Sequence, residues 1–160
     1  MLSAVEIMDA AEERALRDIE KYGCHVIHVL AEGDLPPFSY SVGIEQASGA
    51  PELIVIGLKH ELSHSIVNQY NRRVRAGERF EIGQSYSGFI GGFDCRIGRV
   101  DKSHYHNYLG WCRWLYKGND FQILQLIYPT TSGTWPWDVA APESFRVWQP
   151  LLDKTANVTN

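Results

Sequence analysis

Residues 51–77 read PELIVIGLKHELSHSIVNQYNRRVRAG. Their first half predicts a short buried strand at residues 53–56, and Gly57 begins a turn into a helix. The helix has one apolar stripe, which we expect to cover a sheet. The stripe consists of Leu58, Leu62, Ile66, Tyr70 and Val74.

The chain on either side of this unit alternates between helical and strand patterns. Ser3 with Glu6 forms a capping-box pattern and Gly23 a stop signal, which together predict a first helix over residues 4–22. Residues 38–45 alternate apolar side chains with small or polar ones and predict a strand. Further strands are predicted at residues 24–30, 80–82 and 93–100, and a long helix from Asp101 to about residue 117.

Residues 121–128, FQILQLIY, are apolar on both faces, which predicts a central strand ended by Pro129. Gln122 and Gln125 then need hydrogen-bond partners wherever they are buried. We expect one α+β domain over residues 1–160, with a curved, mainly antiparallel sheet of about five to seven strands and two to three packed helices. Residues from about 152 to 160 are predicted to fray.

The composition predicts an ordinary intracellular domain. A chain of 160 residues can bury a core without disulfides or a structural metal. A net charge of −4 and a pI near 5.8 lack the basic excess of a protein that neutralises many phosphates, so we expect no nucleic-acid partner. The three cysteines are odd in number and widely spaced, which predicts buried, reduced thiols. With no apolar run long enough for a signal peptide or a membrane span, we expect a cytoplasmic location and no membrane partner.

The strand at residues 38–45 has one small, polar face that carries Ser39 and Ser41. Such a face either meets solvent or lets a ligand approach closely and accept hydrogen bonds from the hydroxyl groups. Both serines are therefore candidate ligand-binding residues.

Residues 60–64, HELSH, match the H-E-x-x-H pattern, in which two histidines on one helix face bind zinc and the glutamate is a general base. Measured from Leu62 at 100° per residue, His60 and His64 lie opposite the apolar stripe, on a face predicted to be solvated. Lys59 precedes the pattern, and the sequence suggests no third ligand beyond Glu78 or Glu81. We therefore favour no metal here, and zinc hydrolysis is the least favoured of the functions considered.

Tryptophans supply the other candidate residues. Trp111 and Trp114 lie off the aliphatic stripe of the predicted long helix, which indicates either a second buried contact, for example with the Trp-rich tail, or an exposed binding surface. Residues 133–138, GTWPWD, place Trp135, Trp137 and Asp138 just after the central strand, where ligand-binding loops are common. This segment forms either the wall of a pocket or a plug that seals the core.

Five segments, quoted in chain order, resemble the bacterial domain-of-unknown-function family numbered 4262. They are GCHV at residues 23–26, PFSYSVG at 37–43, PELIVIGL at 51–58, FQILQLIYP at 121–129 and GTWPWD at 133–138. The resemblance spans residues 19–138. It implies a small intracellular bacterial protein without an established activity, and it transfers no catalytic residues. The family is not known to carry the H-E-x-x-H pattern.

The order of predicted elements is also similar to that of flavin-binding split barrels. That analogy implies an oxidoreductase or flavoprotein in which Ser39, Ser41 and His60 lie near the phosphate of FMN. We favour instead a non-catalytic module without a cofactor, which binds a small molecule or a protein partner through a surface that includes the four tryptophans. A partner-neutralising role, such as that of an immunity protein, fits the acidic charge.

Overall fold

A six-stranded sheet with helices on both faces forms the centre of the computed structural model, which describes residues 9–156. The strands are β1 (His25–Val29), β2 (Phe38–Val42), β3 (Glu52–Ile56), β4 (Ser85–Ile90), β5 (Phe93–Arg99) and β6 (Ile123–Ile127). The helices are α1 (Ala10–Tyr22), α2 (Ile44–Ser48), α3 (His60–Arg75), α4 (Tyr105–Tyr108), α5 (Gly110–Tyr116) and α6 (Glu143–Trp148). A 3-10 turn at Lys102–His104 precedes α4.

The strand order is β1-β2-β3-β6-β5-β4. Every neighbouring pair is antiparallel except β3 and β6, which are parallel. The apolar β6 therefore lies at the centre of the sheet, as its sequence predicts. Gln125 is buried in it, donates to the Pro150 carbonyl at 2.8 Å and accepts from the Leu152 N–H at 2.9 Å. The C-terminal chain thus supplies the partners that this glutamine needs.

Alternating side chains of the strands fill two separate hydrophobic clusters, one on each face of the sheet. The cluster beneath α3 contains Leu53, Val55, Ile66, Val67, Tyr70, Val74, Cys95, Ile97, Leu124 and Leu126. The cluster on the other face, beneath α1, α4, α5 and the C-terminal chain, contains Ile19, Tyr40, Val42, Ile54, Ile56, Tyr105, Leu109, Cys112, Ile123 and Leu152. Because both faces are covered, the sheet positions residues for sites at its edges and in the loops.

The carboxylate of Glu52, which has no exposed surface, joins β3 to its neighbours. It accepts hydrogen bonds from the Ser41 hydroxyl at 2.7 Å and from the backbone N–H groups of residues 43–45 at 3.0–3.1 Å. The Tyr116 hydroxyl is a fifth donor. Burial raises the pKa of Glu52, and these hydrogen bonds oppose the rise. Glu52 thus fixes the turn between β2 and α2 and attaches α5 to it.

The first helix begins later than the sequence pattern predicts. Asp9 caps α1, because its carboxylate accepts from the Glu12 N–H at 2.8 Å and the Glu12 carboxylate accepts from the Asp9 N–H at 3.2 Å. It has the same spacing as the capping box predicted from Ser3 and Glu6, but lies six residues later. Ser3 and Glu6 themselves lie outside the described residues. The predicted stop at Gly23 is confirmed, since Gly23 has a φ of 89° at the C-cap.

The predicted long helix after Asp101 is broken. Asp101 caps its start and Lys117 ends it with a φ of 58°, as expected, but Leu109 interrupts it with φ −120° and ψ 43°. Leu109 is completely buried, so packing of this side chain on the sheet accompanies the break. The periodic pattern of the sequence does not reveal such a break, because α4 and α5 both keep their apolar faces on the same cluster.

The C-terminal residues up to Ala156 are held against the domain rather than frayed. The Leu152 carbonyl accepts from the Asp101 N–H at 2.7 Å, and the Ala156 N–H donates to the Ser103 hydroxyl at 2.7 Å. Residues 157–160 lie outside the described part of the chain.

The predicted fold class is confirmed: the protein is α+β, with a mostly antiparallel six-stranded sheet. The sheet formed by residues 9–156 is open, with β1 and β4 at its two edges, and it does not close into a barrel. None of the helices within residues 9–156 has the length and apolar character to cross a bilayer.

The three cysteines are free and buried, as the sequence predicts. Burial raises the pKa of the Cys24 and Cys95 thiols to about 12, and it also raises the pKa of Cys112. Only the thiolate reacts readily with disulfide reagents. We therefore expect no thiol of the native protein to react with Ellman's reagent at pH 8 at a rate near that of glutathione, and all three to react in denaturant. One equivalent of fast-reacting thiol in the native protein would contradict this expectation.

Candidate functional site

The four candidate tryptophans form two separate pairs. The rings of Trp111 and Trp114 are 5.3 Å apart in an edge-to-face contact, and those of Trp135 and Trp137 are 5.1 Å apart and nearly parallel. Within residues 9–156, no ring contact joins one pair to the other. The contact proposed above between Trp111 and Trp114 and the Trp-rich tail is therefore absent from this part of the chain, and the two pairs are distinct surfaces.

A tight turn fixes the positions of Trp135 and Trp137 relative to each other. The Asp138 carboxylate accepts from the Trp135 N–H at 2.8 Å, and the Asp138 N–H donates to the Trp135 carbonyl at 3.0 Å. The Arg146 guanidinium donates to the Asp138 carbonyl at 2.6 Å and ties this turn to α6. Asp138 thus stabilises the turn. The buried Pro136, between the two tryptophans in the sequence, restricts the backbone of the turn further.

Arg96 of β5 lies against both indoles. Its guanidinium carbon is 4.7 Å from the centre of the Trp137 ring and 5.4 Å from that of Trp135. Both are cation–π distances. The buried Nε of Arg96 has no hydrogen-bond partner within residues 9–156. Because this Nε is buried, the terminal nitrogens of the guanidinium are the donors left for an anion.

The Arg96 side chain and Trp137 line an open groove of about 310 Å³ between β5, β6 and the C-terminal chain. Trp137 is 42% exposed, and neither Trp135 nor Trp137 belongs to the two core clusters. Trp137 therefore forms part of the wall of a groove, Trp135 stacks on it, and neither indole plugs the core. The remaining lining is mostly apolar and includes Ile82, Gly98, Ile127 and Leu151, with Arg99 and Asp153 at the rim. We call this site the tryptophan–arginine groove.

The other tryptophan pair belongs to α5, which packs on β2, whereas the groove lies at β5 and β6. Trp111 packs against the cluster that contains Tyr40, and its backbone N–H donates to the Tyr40 hydroxyl at 3.0 Å. The Trp111 ring also lies 6.3 Å from that of His25. Trp111 lines a shallow surface depression with Phe38 and Tyr108. This depression is lined by packed aromatic rings, and the residues that line it include no arginine or lysine. Its ionisable lining residues are Glu32, His28 and the tyrosines.

Ser39 and Ser41 face α3 and are buried, so this face of β2 does not meet solvent. The Ser41 hydroxyl donates to Glu52 and accepts from the Leu53 N–H at 2.9 Å. The Ser39 hydroxyl is 2.6 Å from Nδ1 of His28, its direct neighbour on β1. Both hydroxyl groups are thus engaged by protein partners.

Three histidines come together where β1 meets the start of α3. Nε2 of His28 is 3.1 Å from Nδ1 of His64, and the ring of His28 lies edge-on to that of His60 with 3.8 Å between centres. The rings of His60 and His64 are 6.3 Å apart. Glu61 lines the same surface depression, which measures about 350 Å³. We call this group of His28, His60 and His64 the histidine cluster.

His28 is the residue that sequence reasoning missed, and the direction assigned to the zinc-pattern histidines was wrong. The buried face of α3 contains Ser63, Ile66, Val67, Tyr70, Asn71 and Val74, whereas Leu62 is 37% exposed. At 100° per residue, His60 and His64 lie about 20° and 60° from Val67, so they point toward β1. They are exposed, as predicted, because they extend past the sheet edge. A stripe drawn through large apolar residues alone was misplaced because Ser63 and Asn71 are buried.

Burial, and the neighbouring His60 and His64, lower the pKa of His28 to about 4. His28 is therefore neutral at pH 7, so one of its two hydrogen-bonded ring nitrogens is an acceptor with a lone pair. In the conformation described, the rings pack on one another and do not converge on a point. Within residues 9–156, no group of three or more His, Cys, Asp and Glu side chains has the geometry to hold a metal ion as it stands.

A second groove, of about 460 Å³, continues from the histidine cluster between α1, β1 and α3. His64 borders it together with His25, Asn71 and Arg75. Nδ1 of His25 is 2.7 Å from the Asp18 carboxylate, so this groove contains a fixed imidazole–carboxylate pair.

The protein belongs to the α+β structural class and is built on an open mixed sheet, with two grooves and a histidine cluster at its surface. The family model described as Domain of unknown function (DUF4262) matches residues 18–142, and the chain belongs to this family. The resemblance found in the sequence is thus confirmed. No curated protein and no solved structure matches the chain.

Proposed function

We propose that the protein is a binding module for a small molecule that combines an anionic group with a flat apolar part, and that the tryptophan–arginine groove is its site. The positive charge of the Arg96 guanidinium, held in the lining of the groove at cation–π distance from two parallel indoles, carries this proposal. Carboxylates and phosphates accept hydrogen bonds from a guanidinium in matched, two-pronged geometry. The exposed Trp137 ring offers a stacking surface beside it.

The size and lining of the groove support a small ligand. A volume of about 310 Å³ is at the lower end of the range for small-molecule sites, which combine mostly apolar walls with few polar groups. Binding needs no reacting group, in agreement with the non-catalytic role expected from the sequence. A protein partner that inserts one acidic or aromatic side chain, as in an immunity-like complex, would use the same groove.

The setting that we propose for this activity is the bacterial cytoplasm. Three free thiols fit a reducing compartment. A net charge of −4 argues against nucleic acid as the partner, and the anionic ligand is then recognised by local positive charge at Arg96 rather than by the overall field.

Phenyl phosphate is a minimal probe of this proposal, and binding to it can be followed by tryptophan fluorescence. We expect phenyl phosphate to bind and to perturb the emission, and neutral phenol to bind much more weakly. Replacing Arg96→Gln should weaken phenyl phosphate binding about 10- to 100-fold, the range that corresponds to losing a charged hydrogen-bond pair.

The matched control is Arg17→Gln, which changes the same charge on the exposed surface of α1. The proposal would be overturned if the Arg96→Gln variant bound phenyl phosphate with the same affinity as the Arg17→Gln variant and the wild type. FMN belongs in the same titration, because it has a phosphate and a flat ring. FMN binding that survives Arg96→Gln would instead favour the flavoprotein alternative with a site elsewhere.

A further inference from the structure

We infer that the histidine cluster is a binding site for a divalent transition metal, with His28, His60 and His64 as protein ligands and Zn²⁺ as the ion that it takes. This site is independent of the tryptophan–arginine groove. It rests on the third histidine that the fold brings to the two histidines of the helix.

The backbone fixes the three side chains at one place. His60 and His64 are four residues apart at the start of α3 and share a face of that helix. His28 is on the edge strand β1 and points to the face of the sheet that α3 covers, because its direct partner Ser39 is buried there. The site thus takes ligands from a strand and from a helix, so it forms only in the folded chain.

The distances suit a common ion. Zinc binds imidazole nitrogen at about 2.0–2.1 Å, which separates two tetrahedral ligand nitrogens by roughly 3.4 Å. Nε2 of His28 and Nδ1 of His64 are 3.1 Å apart and are joined by a hydrogen bond. An ion can therefore replace the shared proton after small turns of the rings.

The third ring is within reach of the same ion. A ligating imidazole has its centre roughly 3.2 Å from zinc, so the centres of two such rings at a tetrahedral ion are roughly 5.2 Å apart. The centres of His28 and His64 are 5.3 Å apart and already match, whereas those of His28 and His60 are 3.8 Å apart and those of His60 and His64 6.3 Å apart. The ring of His60 therefore has to move by about 1 Å relative to the other two to complete the site. His60 and His64 are exposed, which lets their rings turn until the nitrogens converge.

Ser39 orients His28, the half-buried member of the set. Its hydroxyl is 2.6 Å from Nδ1 of His28, which leaves Nε2 directed at the cluster. Metal-binding histidines commonly have such an outer partner on the second ring nitrogen, where it fixes the tautomer and the ring plane. Ser39 is thus a positioning residue for His28.

The ligand set has chemical consequences. Three neutral imidazoles without thiolate suit zinc and its neighbours in the first transition row and do not suit calcium or magnesium. Three protein ligands leave the fourth tetrahedral position to water, an arrangement found in catalytic and not in structural zinc sites. Glu61 lines the same depression and supplies the nearest carboxylate among its lining residues.

Equilibrium dialysis of chelator-treated protein against Zn²⁺ tests the site, and Co²⁺ in place of Zn²⁺ reports ligand geometry through its visible absorption. We expect one ion per chain and the intense bands of tetrahedral Co²⁺. His28→Asn should weaken Zn²⁺ binding by more than about 100-fold, and Ser39→Ala by about 10-fold, the smaller loss typical of an outer-shell change.

His106→Asn is the matched control, because His106 is exposed on α4, away from the cluster. Circular dichroism checks that each variant is folded, and His64→Asn decides the question if His28→Asn fails to fold, since His64 is exposed. The inference is overturned if the wild type takes up no stoichiometric Zn²⁺. It is also overturned if uptake survives the loss of His28 or His64 in a folded variant, or if His106→Asn weakens it equally.

Discussion

Glu52→Gln is expected to lower the free energy of unfolding by about 2–4 kcal/mol, even though the two side chains have nearly the same shape and only one carboxylate oxygen becomes an amide nitrogen. Three backbone N–H groups and two hydroxyls donate to the carboxylate. The NH₂ group of glutamine donates and cannot accept, so in either orientation it faces at least one backbone N–H that has no other partner. Hydroxyl groups can turn to accept, but a backbone N–H cannot.

Urea unfolding at pH 7, followed by circular dichroism, measures this loss. Glu20→Gln is the control, because Glu20 is exposed on α1 and the substitution is chemically identical. Its effect should stay within about 0.5 kcal/mol. An unfolding curve of Glu52→Gln that superimposes on that of the control would show that the buried carboxylate does not hold the turn between β2 and α2.

Gly57→Ala is expected to cost about 3 kcal/mol or more, from backbone strain and from a clash that cannot relax. Gly57 has a φ of 90°, and a Cβ atom there would lie 2.6 Å from the carbonyl oxygen of Trp148 and from the hydroxyl of Tyr128. The Tyr128 hydroxyl donates to the Ile56 carbonyl at 2.7 Å, and the Trp148 indole donates to the Gly57 carbonyl at 3.1 Å. The methyl group would therefore separate α6 from the end of β3.

Gly77→Ala separates strain from clash. Gly77 has a φ of 105° and no heavy atom within 4 Å of its virtual Cβ, so alanine there incurs only the backbone cost of about 1–2 kcal/mol. Thermal unfolding of both variants measures the difference, which should appear as a markedly lower Tm for Gly57→Ala. Equal melting temperatures would mean that the close approach at Gly57 is readily relieved.

Much of the sheet could be predicted from local sequence. Residues 121–128 are apolar on both faces because β6 is enclosed on both, and the period-two pattern of residues 38–45 predicts β2. The start of α1 was missed because Ser3–Glu6 and Asp9–Glu12 both have capping-box spacing, and spacing alone does not show which of them begins the helix. The break at Leu109 depends on packing against a surface that is distant in sequence.

The candidate sites depend still more on long-range contacts. His28 and His64 are 36 residues apart, and the H-E-x-x-H pattern cannot reveal which strand lies beside the helix. One signal was present: His28 lies, with His25, on a predicted strand whose other residues are apolar, where an imidazole needs a partner. Arg96 had no local signal, because its neighbours show only strand composition and its two indoles lie about forty residues further along the chain.

The parallel pairing of β3 with β6 has a consequence for the order in which the sheet assembles. The β1-β2-β3 meander and the β4-β5 hairpin each form between neighbouring stretches of chain, whereas Glu52 meets Ile123 only after the intervening chain has been closed into a loop. During synthesis, both half-sheets leave the ribosome before β6 does. Until β6 inserts, β3 and β5 each keep an unpaired apolar edge, so the nascent chain is most open to wrong pairing just before its last quarter emerges.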